Sequence, residues 1–148
     1  MKRILYVSDA KSIHTRRWAE HFRDQGVQVH VASFRPEVIP GVSVHVLRTY
    51  GLGRLGYFFA IPALRQLAKR FEPDVVHAQY VTSYGFLAAL AGLRPLVLTA
   101  WGTDVLISPQ KSRVMRWLAS YAVRRADVTT TVAQHMNAAV ASLGVPVE

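Results

Sequence analysis

Asp74-Val75-Val76-His77-Ala78 and Pro95-Leu96-Val97-Leu98-Thr99-Ala100 are short apolar runs without polar alternation. A strand with one wet face alternates. A strand covered on both faces does not, so such runs mark a parallel sheet between helix layers. Between them, residues 83–93 read as a small-residue helix. Working outward, residues 2–8 are a buried strand, and Ile13, Trp18, Ala19 and Phe22 recur at helical spacing opposite Arg16, Arg17, Glu20, Arg23 and Asp24. Gly26 ends that helix and residues 27–33 are the second strand, completing a unit of βαβ size. Residues 42–46 alternate like a strand with one wet face, 50–56 form a loop with three glycines, and 57–71 form a helix stopped by Pro73. A helix over 112–125 turns Val114, Leu118 and Tyr121 or Ala122 to one side. A strand over 127–132 follows, then a helix on Met136, Ala139, Val140 and Leu143, ended by Gly144 and Pro146. The alternation predicts one α/β domain over residues 1–148, a Rossmann-like doubly wound parallel sheet with helices on both faces.

The bulk composition narrows the function. The chain is 51% apolar and 18% charged, which is globular and not disordered. Its lack of cysteine removes disulfides and thiolate metal sites, and points to a reducing, cytoplasmic setting. MKRILYVSDA turns polar after a short apolar run, so it reads as a first strand and not a signal peptide. Eighteen Lys+Arg against nine Asp+Glu give a net +9. That balance attracts nucleic acid, anionic membrane or sugar-nucleotide phosphates alike.

In such a sheet ligands bind at the carboxyl ends of the strands. The loop there, Asp9-Ala10-Lys11-Ser12-Ile13-His14, has no glycine, which disfavours a dinucleotide fingerprint. GxxxxGK[ST], GxSxG and any His/Asp/Glu cluster with metal-ligand spacing are also missing, so no metal site is expected. What the strand ends do carry is Ser8-Asp9, His77-Gln79-Tyr80 and Trp101-Gly102-Thr103-Asp104. Hydroxyls, an imidazole, a carboxylate and aromatic faces suit a sugar.

Taken in order, Asp74-Val-Val-His77-Ala, Tyr84-Gly85, Pro95-Leu-Val-Leu-Thr99-Ala-Trp101-Gly102-Thr103-Asp104 and Arg125-Ala126-Asp127-Val128 resemble the N-terminal domain of glycosyltransferase family 4, half of a GT-B fold. Ser12-Ile13-His14-Thr15-Arg16-Arg17-Trp18 also occurs in a subset of such enzymes. The resemblance implies a retaining, nucleotide-sugar-dependent transferase whose acceptor side is this domain, acting on a cell-envelope glycan or lipid-linked acceptor. No cofactor is implied, since the nucleotide sugar is the donor substrate. In the family a C-terminal domain holds most donor contacts, so this chain, ending at Gly144-Val145-Pro146-Val147-Glu148, is expected to be inactive alone. Three positions depart from the pattern. Trp101 replaces a common histidine, the first loop lacks paired glycines, and Ala133 replaces a helix-capping serine, leaving Thr131 to cap.

On this resemblance Asp104 and His77 are the catalytic candidates, with Tyr80, Tyr84, Gly85, Trp101, Gly102 and Thr103 shaping the acceptor side and His14 and Arg16 near the cleft floor. Each has a plainer reading: His77 as a core histidine, Asp104 as a cap, Trp101 as packing, and His14 with Arg16 as a solvated face. His21, His30, His45 and His135 carry no assignment. Leu52, Leu55, Tyr57, Phe58, Phe59 and Ile61, beside Arg48, Arg54, Arg65, Lys69 and Arg70, form a candidate membrane-facing element for a peripheral protein, or else a cover over the core. The competing function is a basic, non-enzymatic Rossmann-like module for nucleic acid or anionic membrane. Specific nucleic-acid binding is not expected, because the arginines are dispersed and no recognition segment interleaves with them. A receiver domain would need an aspartate where His45-Val46 stands.

Overall fold

The computed structural model describes residues 1–144, apart from the side chain of Arg54. Six strands form one sheet in the order β3-β2-β1-β4-β5-β6: β1 Arg3–Val7, β2 Gln28–Ser33, β3 Ser43–Val46, β4 Val75–Gln79, β5 Leu96–Ala100 and β6 Val128–Thr131. Every pairing is parallel, with Tyr6 beside His77 and Gln79 beside Thr99. The strand order reverses between β1 and β4, so the switch point lies at their carboxyl ends.

Helix α1, Ile13–Asp24, packs on one face over a small core of Tyr6, Ala10, Ala19, Val29, Val31 and Ile39. The other face is covered by α2 Gly56–Phe71, α3 Phe86–Leu90, α6 Arg113–Arg125 and α7 Asn137–Ala141. Short helices α4 Thr103–Leu106 and α5 Ser108–Lys111, absent from the sequence reading, fill the loop after β5.

Two helices are rotated from the predicted orientation. In α1 the buried positions are Thr15 and Ala19, whereas Ile13 and Trp18 are exposed. Thr15 is drawn inward because its hydroxyl reaches Gln79 Oε1 at 3.2 Å. In α6 the buried face is Ala119, Ala122 and Val123, and Val114 points outward at 63% exposure. Small side chains there let α6 lie close to Ala88 and Ala89 of α3. Thr131 does not cap the last helical segment. Its hydroxyl bonds Asn137 Oδ1 at 2.6 Å, and Ala133 occupies the cap position without a side-chain bond. The predicted stop at Pro146 lies outside the described residues.

Candidate functional site

After Gln79 the chain must leave the sheet and enter a helix without spare length. Tyr80 takes a left-handed φ of 74°, and residues Val81–Gly85 wind as a π-helix into α3. Gly85 makes the turn fit, because a Cβ there would stand 2.4 Å from Leu98 Cδ1 and 2.9 Å from the Tyr80 carbonyl oxygen. π-Turns of this kind recur at functional sites.

Asp104 holds the turn from beneath. It is 1% exposed, and its carboxylate accepts N–H bonds from Val81 at 2.9 Å, Trp101 at 3.1 Å and Gly102 at 2.9 Å. One buried charge therefore ties the β4 and β5 loops together through charge-assisted bonds.

At the switch point these loops and the start of α1 enclose a pocket of about 290 Å³, lined by Asp9, Ser12, Thr15, Gln79, Tyr80, Ser83, Tyr84 and Trp101. Ser12 caps α1 by accepting the His14 N–H at 3.3 Å, so the positive end of the α1 dipole faces the pocket. Among the described residues Asp9 is the one charged side chain in the lining, and Arg35 pairs with it at 2.9 Å. Gln79 is 3% exposed. Its Oε1 accepts from Thr15, while its Nε2 has no hydrogen-bond partner among the described residues, as is true of Ser8 Oγ and Tyr6 Oη. Buried amide donors are nearly always satisfied by protein or water, so the Gln79 amide is a donor that a hydroxyl in the pocket could take up. With hydroxyls, one amide and aromatic faces, and no lysine or arginine among the described residues of the lining, the arrangement favours a neutral polyol over a phosphate.

The sequence candidates divide accordingly. Tyr80, Tyr84 and Trp101 meet in the pocket, and His14 stacks on Trp101 with ring centroids 4.0 Å apart. Tyr84 is anchored where its hydroxyl accepts the Phe34 N–H at 3.3 Å, and burial raises its pKa. Gly85 and Gly102 shape the backbone around the pocket without lining it. Thr103 is exposed at the start of α4. Arg16 lies along α1, paired with Glu20 at 2.9 Å, and not on the cleft floor.

The two catalytic candidates are also outside the lining. His77 points into the α1 layer at 6% exposure, against Tyr6 and the edge of Trp18, with Thr99 Oγ1 2.7 Å from Nε2. Burial lowers its pKa to about 4, so at neutral pH it is an uncharged core ring. Of the other pocket residues, Asp9 and Gln79 are among the polar strand ends named from the sequence without a role of their own, and Ser12, Thr15 and Ser83 were missed. Gln79 was legible as the last residue of a buried strand at the switch point, but Thr15 was hidden by the assumption that only apolar residues face inward.

The membrane-facing candidates separate as well. Phe58 is 52% exposed, and Tyr57 leans on Phe34 at 4.4 Å. Arg65 turns back to the α3 carboxyl end, donating to the carbonyls of Ala91 at 2.9 Å and Leu90 at 3.4 Å. Lys69 stands eleven residues beyond Phe58 on the same helix, a rise of about 16 Å, so the two cannot share one spot. The Arg54 side chain lies outside the described residues. Among the described residues no helix is long and apolar enough to cross a membrane.

Comparison with known proteins agrees with this fold. Among solved structures, the UDP-N-acetylglucosamine 2-epimerase from Rickettsia bellii superposes with a TM-score of 0.74 at 13% identity, over 99% of this chain and 43% of its own. HepE from Anabaena, in complex with UDP and glucose, gives 0.71 at 20% identity, over 99% and 42%. The UDP-GlcNAc 2-epimerase from Neisseria meningitidis, bound to UDP-GlcNAc, gives 0.71 at 16% identity, over 99% and 44%. At these identities the likeness shows the fold, the Rossmann-like fold of GT-B proteins, and the chain spans less than half the length of each. Curated proteins give no match. The profile described as Glycosyl transferase 4-like matches residues 3–133, nearly the whole of the described structure, and the chain belongs to that family.

Proposed function

We propose that this chain is the acceptor-side domain of a nucleotide-sugar-dependent, retaining glycosyltransferase acting on a cell-envelope glycan or a lipid-linked sugar. The observation that carries this reading is the free Gln79 amide donor at the floor of a hydroxyl-rich pocket at the switch point. Gln79 Nε2 donates to a sugar hydroxyl while Thr15 fixes the amide from behind. Trp101 and Tyr80 offer ring faces to the C–H surface of the sugar, and Asp9, balanced by Arg35, accepts from a second hydroxyl. The acceptor is thereby oriented toward the anomeric carbon of a donor, which supplies most of what positioning contributes to the rate. His77 and Asp104 act as positioning residues in this scheme. The donor's diphosphate carries charge that this pocket does not neutralise, so a second, donor-binding domain forms the opposite wall, and the isolated chain does not turn over.

Ligand-detected NMR on the 148-residue chain tests the reading. Saturation transfer to monosaccharide protons is expected, to be lost in Gln79→Leu, with a weaker response from UDP. Sugar signals that survive Gln79→Leu unchanged, or a pocket that UDP fills in place of sugar, would overturn it.

A further inference from the structure

On the α2 face of the sheet, at its β3 edge, lies a cavity of about 530 Å³ that shares no lining residue with the polar pocket. The parallel register sets His30 beside Ser43 and Ala32 beside His45. Both imidazoles therefore stand on one face, and His45 Nε2 lies 3.0 Å from His30 Nδ1. Phe71, the last residue of α2, stacks flat on His30 with ring centroids 3.7 Å apart. Ala63, Leu67 and Phe71 follow at four-residue spacing along α2, so the helix gives the cavity an apolar wall.

The polar lining is built from nitrogen-bearing side chains. Arg3, Gln28, Gln66 and Arg70 join the two histidines, and among the described residues no carboxylate lines the cavity. Arg3 Nη1 donates to the Phe71 carbonyl at 2.9 Å and stands 3.7 Å from Glu72, outside the lining. Its Nε and Nη2 have no partner among the described residues. The same bond covers the carbonyl end of α2, whose partial negative charge would otherwise oppose an anion. Arg70 is exposed and makes no hydrogen bond or ion pair among the described residues. Burial lowers the pKa of both histidines, and His45 adds to the effect on His30. A neighbouring anion reverses that bias, because it favours the imidazolium.

We infer that this cavity is a second ligand site, taking a small organic oxyanion whose apolar body rests on Ala63 and Leu67. Arg3 and Arg70 hold the oxyanion, Gln28 and Gln66 supply amide N–H groups, and the histidine pair takes up a proton as the anion arrives. The site stands whether or not the polar pocket binds an acceptor.

Spectra of the histidine rings in the full 148-residue chain test this, with the two signals assigned from His30→Asn and His45→Asn. At low salt, phenyl phosphate and phenylacetate are expected to shift both signals and leave that of buried His77 in place, whereas benzyl alcohol moves none. The tighter of the two anions names the natural ligand as a phosphate or a carboxylate. Benzenesulfonate, whose charge is constant with pH, is expected to bind severalfold tighter at about pH 5.5 than at about pH 7.5, the sign for a proton gained on binding. Arg70→Glu weakens every anion about tenfold, and Gln79→Leu changes none of them. Rings that no anion moves overturn the proposal, as does anion binding indifferent to Arg70→Glu. Benzyl alcohol acting as strongly as the anions does so too. Zinc that claims both rings and excludes the anions, reversibly with a chelator, also overturns it, since the pair is then a metal site.

Discussion

Asp104 Oδ2 accepts the N–H of Val81 at 2.9 Å, joining the loop after β5 to the first residue of the π-turn after β4. The same carboxylate serves Trp101 and Gly102, so the Tyr80 and Trp101 walls of the pocket both depend on one buried carboxylate. Asp104→Ala strands three backbone donors and is expected to cost about 3 kcal/mol, with Asp104→Asn costing less because one acceptor oxygen remains. Urea unfolding measures both. Sugar transfer lost in Asp104→Asn at unchanged stability and unchanged acceptor binding would restore a direct catalytic role.

Gly85→Ala tests the turn itself. Leu98 Cδ1 can move aside, but the Tyr80 carbonyl is backbone, so a loss of about 1–3 kcal/mol is expected. Thermal unfolding reads it. A neutral outcome would mean that the π-turn is free to rearrange.

Burial of His77 sets an acid limit on stability. Its folded pKa is about 4 against 6.5 when unfolded. Between those values the unfolded chain binds the extra proton, so stability rises with pH across the window and is lost as pH falls from about 6.5 toward 4. The size is about 3 kcal/mol. His30 and His45, whose pKa values burial also lowers, act in the same direction. The contribution of His77 is therefore the difference between the wild-type pH profile and that of His77→Asn, which should be flatter. Parallel profiles would show that the ring is not the group being charged.

Gln79→Glu replaces the free amide donor with an acceptor while keeping an oxygen for Thr15. On the acceptor reading proposed above, acceptor KM measured with the donor-binding domain present is expected to rise about tenfold, the cost of one lost polar contact of about 1.5 kcal/mol, with a smaller change in kcat. Equal falls in kcat and kcat/KM would place the amide's contact in the transition state alone.

The sheet was legible because uninterrupted runs such as Leu96-Val97-Leu98 leave little choice but a strand covered on both sides. The strand ends, and hence the region of the site, followed from the same reading. Side-chain roles did not. Asp104 and His77 were conspicuous as polar residues near strand ends, but sequence cannot show that Asp104 points inward to backbone donors or that His77 faces α1. The tilt of α6 was only partly legible, because Ala122 was a candidate for the inward face but Val114 and Leu118 outweigh Ala119 on any hydrophobicity count. Close helix approach favours the alanines.

The layer beneath α1 contains six buried apolar side chains, whereas the opposite layer forms a far larger continuous core. Backbone amides of α1 will therefore exchange with solvent sooner than those of α6, by local opening that leaves the sheet intact. Ser12, which caps that looser helix, and Thr15 within it both line the pocket. On the acceptor reading proposed above, a bound sugar would also quiet the helix, at a cost in lost motion that tempers affinity.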